Sequence, residues 1–114
     1  MINFTIFTPT YNRADTLERC YRSILLQKRI DIEWLIIDDG STDNTKFLVE
    51  KFMAEGKIRI VYIYQNNAGK QVAWNVAIQN ANGQYFIGLD SDDALYEDAL
   101  SVLFPKINEI NADS

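Results

Sequence analysis

Four short apolar runs mark the chain, and each one ends in a polar cluster. They are Ile2 to Phe7, Ile32 to Ile37, Ile58 to Tyr64 and Tyr85 to Leu89. Runs of this length, rich in β-branched and aromatic residues, predict strands. A continuous apolar run predicts a strand covered on both faces, as in a parallel sheet. Between the runs the apolar spacing becomes helical: Leu17, Cys20, Tyr21, Ile24 and Leu25, then Leu48, Val49, Phe52 and Met53, then Val72, Ala73, Val76 and Ala77. Each set predicts a helix with one face on the sheet. Asp15 with Glu18 three residues on predicts a capping box at the first helix start. The second helix is expected from about Asn44 to Glu55, with Gly56 as its C-terminal cap. The third is expected from about Lys70 to Asn80, closed by Asn82-Gly83. A last helix is expected from about Glu97 to Glu109, with Leu100, Leu103, Phe104, Ile107 and Ile110 in step. It contains Pro105, and an interior proline costs about 3 kcal/mol, so a kink or break is expected there.

Strictly alternating β and α elements predict an α/β fold: an open, mainly parallel sheet with helices on both faces and right-handed crossovers. A chain of 114 residues has room for one such domain. In sheets of this kind ligands bind beyond the carboxyl ends of the strands, where the strand order reverses. The polar clusters obey that rule. Thr8 to Asn12, Asp38 to Asp43, Asn66 to Lys70 and Asp90 to Asp93 each follow a strand, so all four fall on one rim.

Composition removes several kinds of chemistry. The net charge is −5, from 11 basic and 16 acidic residues, and no basic face for a nucleic acid is visible. There is no histidine, so none serves as metal ligand or general base. The one cysteine, Cys20, cannot form an internal disulfide, and a reducing, cytoplasmic setting is the simpler reading. Cys20 falls mid-helix among apolar residues without a histidine partner, which argues against a nucleophile. No apolar run approaches the ~18 residues of a membrane span, and the N-terminus lacks a signal-peptide pattern. The chain as given is expected to be soluble, with membrane association of a longer protein left open.

The acidic stretch Asp90-Ser91-Asp92-Asp93 carries the strongest chemical signal. Unit charges brought to about 4 Å repel by about 1 kcal/mol per pair even in water. One aspartate is accounted for as a cap of the following helix. Three are better accounted for by a divalent cation, Mn or Mg, which takes oxygen ligands and leaves positions open for phosphate oxygens. In Asp38-Asp39-Gly40-Ser41-Thr42-Asp43, Ser41 and Asp43 suit capping. Of the adjacent aspartates one is expected to point outward and the other, Asp39, toward the cleft, to accept from a base N–H or a ribose hydroxyl. Tyr11, after Pro9, offers a flat ring to a nucleobase. Lys70 at a helix N-terminus suits a diphosphate. Arg13 reads as solvated, and Trp34 and Trp74 read as core.

Four segments carry a resemblance. Phe7-Thr8-Pro9-Thr10-Tyr11-Asn12-Arg13, Ile36-Ile37-Asp38-Asp39-Gly40-Ser41-Thr42-Asp43, Asn67-Ala68-Gly69-Lys70-Gln71-Val72-Ala73-Trp74-Asn75 and Leu89-Asp90-Ser91-Asp92-Asp93 resemble, in order and spacing, the nucleotide-sugar half of family 2 glycosyltransferases with the GT-A fold. The resemblance covers nearly the whole chain. It implies a Rossmann-like sheet and transfer of a sugar from a UDP-, dTDP- or GDP-type donor, usually with inversion and with Mn or Mg. By position it implies donor-nucleotide contacts at Thr8, Pro9, Tyr11, Asp39, Lys70 and Asp90, and metal ligation at Asp92 or Asp93. Two departures stand out. Many members have arginine where Trp74 stands, and Lys70 is expected to substitute, as in the branch reading Gly-Lys-x-x-Ala-x-Asn. The family's general base and acceptor site lie downstream of the D-x-D element, whereas this chain reaches only Ser114. Residues 1–114 are therefore expected to be a donor-binding half that binds a UDP-type sugar donor and metal but does not itself transfer sugar to a glycan, polysaccharide or lipid-linked acceptor.

Two other readings fit less well. A sugar-phosphate nucleotidyltransferase needs a glycine- and arginine-rich loop after the first strand, where this chain has Pro9-Thr10-Tyr11-Asn12-Arg13. A receiver-like signalling domain needs its acidic pair after the first strand and its acceptor aspartate after the third. Here the acids follow the second and fourth.

Overall fold

The computed structural model describes residues 2–27, 31–95 and Leu100. The expected last helix and its kink at Pro105 lie outside the described residues. Seven elements follow in order: β1 (Phe4–Thr10), α1 (Ala14–Leu25), β2 (Ile32–Asp38), α2 (Thr45–Glu55), β3 (Arg59–Tyr64), α3 (Lys70–Asn80) and β4 (Tyr85–Gly88). The strands form one sheet in the order β3-β2-β1-β4, with every pairing parallel. The chain builds outward from β1 through β2 to β3, then returns to place β4 on the other side of β1. The order thus reverses between β1 and β4.

Period-two alternation divides the core between the two faces. Phe4, Ile6, Trp34 and Ile36 meet Leu17, Cys20, Tyr21 and Ile24 of α1 and Val49 and Phe52 of α2. Tyr21 stacks on Phe52 at 4.0 Å and on Trp34 at 5.8 Å between ring centroids. Leu100 packs into this same cluster. On the other face Phe7, Leu35 and Ile37 meet Ala73 and Ala77 of α3. The small alanines let α3 sit close to the sheet, but they cover little of it. Val72, expected inward, is 41% exposed, and Trp74, expected in the core, is 44% exposed, its ring meeting Phe86 edge-on. Met53, expected on the inner side of α2, is likewise largely exposed.

The start of α1 also differs from expectation. Its N-cap is Arg13, with no side-chain cap, and Asp15 lies inside the first turn. The capping acceptor comes from elsewhere in the sequence: Asp43 Oδ2 accepts from the Ala14 amide at 3.3 Å. Gly56 caps α2 in the left-handed conformation, as its sequence position predicts.

At the opposite rim of the sheet from the polar clusters, Glu33 is fully buried. Its carboxylate accepts from Thr5 Oγ1 (2.8 Å), the Asn82 amide (2.9 Å), Asn82 Nδ2 (3.0 Å) and Arg59 Nε (3.1 Å). Burial alone would push this carboxyl up. The bonds from Asn82, then Thr5 and Arg59, hold it below its ordinary value. Thr5 in turn accepts from the Gly83 amide at 2.8 Å. This latch fixes where the chain leaving α3 enters β4.

Candidate functional site

The two strands flanking the reversal separate at their carboxyl ends. The β1–β4 pairing ends at Phe7 and Gly88, with the Leu89 amide still donating to the Phe7 carbonyl at 2.8 Å. Pro9 stands where that ladder has stopped, so its missing N–H leaves no ladder bond unmade on that side. A cavity of about 350 Å³ opens there. Pro9, Tyr11, Arg13, Asp39, Lys70, Asp90 and Asp92 are among its lining residues. A smaller cavity of about 240 Å³ adjoins it, lined in part by Lys70, Trp74, Asp90 and Asp93. Seven of the eight sequence-predicted site residues therefore converge on one rim.

Thr8 does not join them. Alternation turns its side chain to the α1/α2 face, where it is fully buried and its hydroxyl accepts from the Trp34 indole at 2.8 Å. The contact expected from Thr8 is thus not available to its side chain, because Pro9, one residue on, occupies the position facing the cavity. Two residues that sequence reasoning set aside stand at the site instead. Arg13, read as solvated, lines the larger cavity, and Trp74 lines the smaller one.

The two adjacent aspartates divide as follows. Asp38 is buried rather than pointing outward, with Oδ2 accepting from the Tyr62 hydroxyl at 2.5 Å and Oδ1 from the Ser41 amide at 2.8 Å. Burial, and after it this carboxylate, push the Tyr62 phenol above its ordinary value. Asp39 faces the cavity but already has partners. Its Oδ1 accepts from Gln65 Nε2 (2.9 Å) and the Ala68 amide (2.6 Å), and Gly69 donates to Oδ2 at 3.1 Å. The bond from Gln65, then those from Ala68 and Gly69, hold its carboxyl below the ordinary value against partial burial. Asp39 thus fastens the loop that leads into α3, and Oδ2 is its more lightly used oxygen.

The first two rim loops are tied together. Asn12 adopts φ 52° and donates its amide to Ser41 Oγ at 2.8 Å. Its side-chain Oδ1 accepts from the Thr42 and Asp43 amides at 2.8 and 3.3 Å. Tyr11, half exposed, is carried on this double loop with its ring at the cavity.

Asp90, Asp92 and Asp93 follow β4 in a tight turn, with the Asp93 amide donating to the Asp90 carbonyl at 3.0 Å. One oxygen from each lies within 4.8 Å of the others, and all three side chains are exposed. Ligand oxygens about 2.1 Å from Mg, or slightly further from Mn, stand up to ~4.2 Å apart. A small rotation of the side chains closes the difference, so these three hard oxygen donors fit such a cation. Lys70 Nζ lies 3.8 Å from Asp90 Oδ1. This exposed ion pair is worth little by itself, so a phosphate oxygen can replace the carboxylate at low cost. Cys20 beneath the site is inert, with its thiol pushed up to about 12, chiefly by burial.

Comparison with known proteins agrees with this geometry. Glycosyltransferase GlyA of Streptococcus pneumoniae is 38% identical over 109 residues, spanning 96% of this chain and 16% of GlyA. The structure of S. aureus TarS 1-349 in complex with UDP superposes with a TM-score of 0.87 at 28% identity, over 95% of this chain and 32% of that one. Mannosyltransferase PcManGT from Pyrobaculum calidifontis, in complex with GDP-Man and Mn2+, gives 0.78 at 26% identity, over 88% and 30%. The parallel sheet with its flanking helices is therefore the GT-A architecture of those enzymes. The chain spans only a fraction of the length of these relatives. The family model described as Glycosyl transferase family 2 matches residues 5–114, and the chain belongs to that family.

Proposed function

We propose that this chain is the donor-binding region of a metal-dependent, inverting glycosyltransferase. It takes a nucleoside-diphosphate sugar, of the UDP type in the first instance, for transfer to a glycan, polysaccharide or lipid-linked acceptor. The observation that carries this reading is the larger cavity at the β1/β4 reversal, where an aromatic ring, a carboxylate, a lysine and the acidic turn stand together.

Each group has a part. Tyr11, beside Pro9, stacks on the base. Asp39 accepts from a base N–H through Oδ2. Lys70 exchanges Asp90 for a diphosphate oxygen, helped by the N-terminus of α3. Asp90 lies toward the ribose, and Asp92 or Asp93 holds the cation. A divalent Mn or Mg ion at that turn supplies Lewis-acid stabilisation of a departing diphosphate. The bound UDP of TarS and the GDP-Man and Mn2+ of PcManGT support a donor of this class. Among the described residues the only carboxylates lining the two cavities are Asp39 and those of the acidic turn. The acceptor site and general base are accordingly assigned outside the described residues, in a protein working at the cytoplasmic side.

The test is thermal unfolding and calorimetric titration with UDP and Mn2+. A ligand at 100 times its Kd stabilises by about 2.7 kcal/mol, so millimolar UDP should raise the melting temperature, and raise it further when metal is present. Asp92→Asn should reduce the metal-dependent part of that shift and leave the unliganded melting temperature unchanged. Stabilisation by acetyl phosphate with Mg in place of UDP would favour the receiver-like alternative and overturn this reading. Glycosylation of an acceptor by the chain alone would overturn the division of labour.

A further inference from the structure

The acidic turn is held from behind by α1. Thr16 Oγ1 donates to the Ser91 carbonyl at 2.9 Å, closer than its alternative acceptor, the Arg13 carbonyl, at 3.3 Å. One turn further along α1, the Arg19 guanidinium donates to the Asp92 carbonyl. Both contacts use main-chain oxygens of the turn, so neither occupies a carboxylate. Ser91 itself is buried, while Asp90, Asp92 and Asp93 around it remain exposed. Three carboxylates that repel one another are thus kept together by a backbone fastened at two successive carbonyls.

We propose that Thr16 and Arg19 are positioning residues for the divalent-cation site: by fixing the Ser91 and Asp92 carbonyls they hold the acidic turn in the shape that presents its carboxylate ligand to the ion. This rests on the reading of Asp90–Asp93 as the cation-binding turn. Its logic is that of an outer partner to a metal ligand, which orients the ligand without touching the ion. The charge of Arg19 makes the inference sharp, because a cation close to the turn repels an incoming cation. If Arg19 acted only through its charge, its removal would tighten metal binding. If it acts by positioning, its removal weakens it.

The experiment is Mn2+ titration of the whole chain with saturating UDP, followed by electron paramagnetic resonance of the free ion. Variants are Thr16→Val, Thr16→Ser, Arg19→Met and, as controls, Asp92→Asn and Asp93→Asn. Thr16→Val and Arg19→Met should each weaken Mn2+ binding about 10-fold, within the range for partners of metal ligands. Thr16→Ser, which keeps the hydroxyl, should bind as the unaltered chain. UDP affinity measured in EDTA, which reads Tyr11, Asp39 and Lys70 without the ion, should be unchanged in Thr16→Val, Thr16→Ser and Arg19→Met. Unaltered Mn2+ affinity in Thr16→Val, or tighter binding in Arg19→Met, would overturn the inference while leaving the donor site standing. An equal loss of UDP affinity in EDTA would do the same, by showing a general structural role. If neither Asp92→Asn nor Asp93→Asn weakens Mn2+ binding, the donor-site reading itself fails and takes this inference with it.

Discussion

Glu33 is a buried charge whose partners are all neutral donors except one, Arg59, which is 59% exposed at its side chain. Such a group contributes stability only while it is ionised. Its folded-state carboxyl lies below the ordinary value of 4.5, so the contribution is present above that pH and is lost as the pH falls through the lower, folded value. Glu33→Gln should destabilise the chain by about 1–3 kcal/mol at neutral pH, since the amide nitrogen cannot accept the bonds its oxygen took. It should also flatten the acid limb of the stability curve below pH 4.5, read by urea denaturation at several pH values. Gly83 sits in the same latch with no room to spare. A Cβ there would stand 2.4 Å from the Thr5 backbone nitrogen and 2.6 Å from the Phe4 carbonyl carbon. Both neighbours are backbone, which cannot swing aside, so Gly83→Ala should cost about 1–3 kcal/mol, toward the upper end. The loss should appear as a lower denaturation midpoint with an unchanged denaturant slope.

Among the elements, α3 is the one most weakly fastened to the sheet. It buries Ala73 and Ala77 and leaves Val72, Trp74 and Ile78 largely exposed, whereas α1 buries five side chains. Amide exchange should therefore be faster across α3 than across α1, since few buried apolar contacts mean a low free energy of local opening. UDP with Mn2+ should slow exchange at the first turn of α3 if Lys70 there takes the diphosphate as proposed; unchanged protection would count against Lys70 as a phosphate contact. The helical spacing of α3 was legible in the sequence, and so was its inward face at Ala73, Val76 and Ala77, but not the exposure of Val72 and Trp74. Spacing gives a face to within one residue on either side, and the two alanines, not the larger Val72 or Trp74, are what the sheet admits. The capping of α1 by Asp43 was illegible for a different reason: the partner is supplied by another loop, 29 residues away. The same holds for Thr16 and Arg19. Nothing in their local spacing announces a contact with residues more than 70 positions on.

At the scale of the molecule, the fold was legible because both faces of the sheet are covered. Each central strand therefore had to be a continuous apolar run, and each polar cluster after it had to fall on the same rim. The convergence of Tyr11, Asp39, Lys70 and the acidic turn on one rim was legible for that reason, whereas the inward turn of Thr8 was not, because alternation sets its side chain on the face opposite Pro9. The strand order has a further consequence, which concerns time rather than architecture. Pairing β1 with β2 and β2 with β3 closes modest loops, but β4 pairs with β1 across a separation of 81 residues, Phe4 with Tyr85. Longer loops cost more entropy to close, and pairings of high sequence separation form slowly. The acidic turn follows that last strand, so it comes together only when the rest of the sheet is already in place. During refolding, metal-dependent UDP binding should thus lag behind the burial of Trp34, which belongs to the early β1–β2 core. Stopped-flow tryptophan fluorescence in a Trp74→Phe background, set beside the rate at which a UDP–Mn2+ signal appears, measures that lag directly.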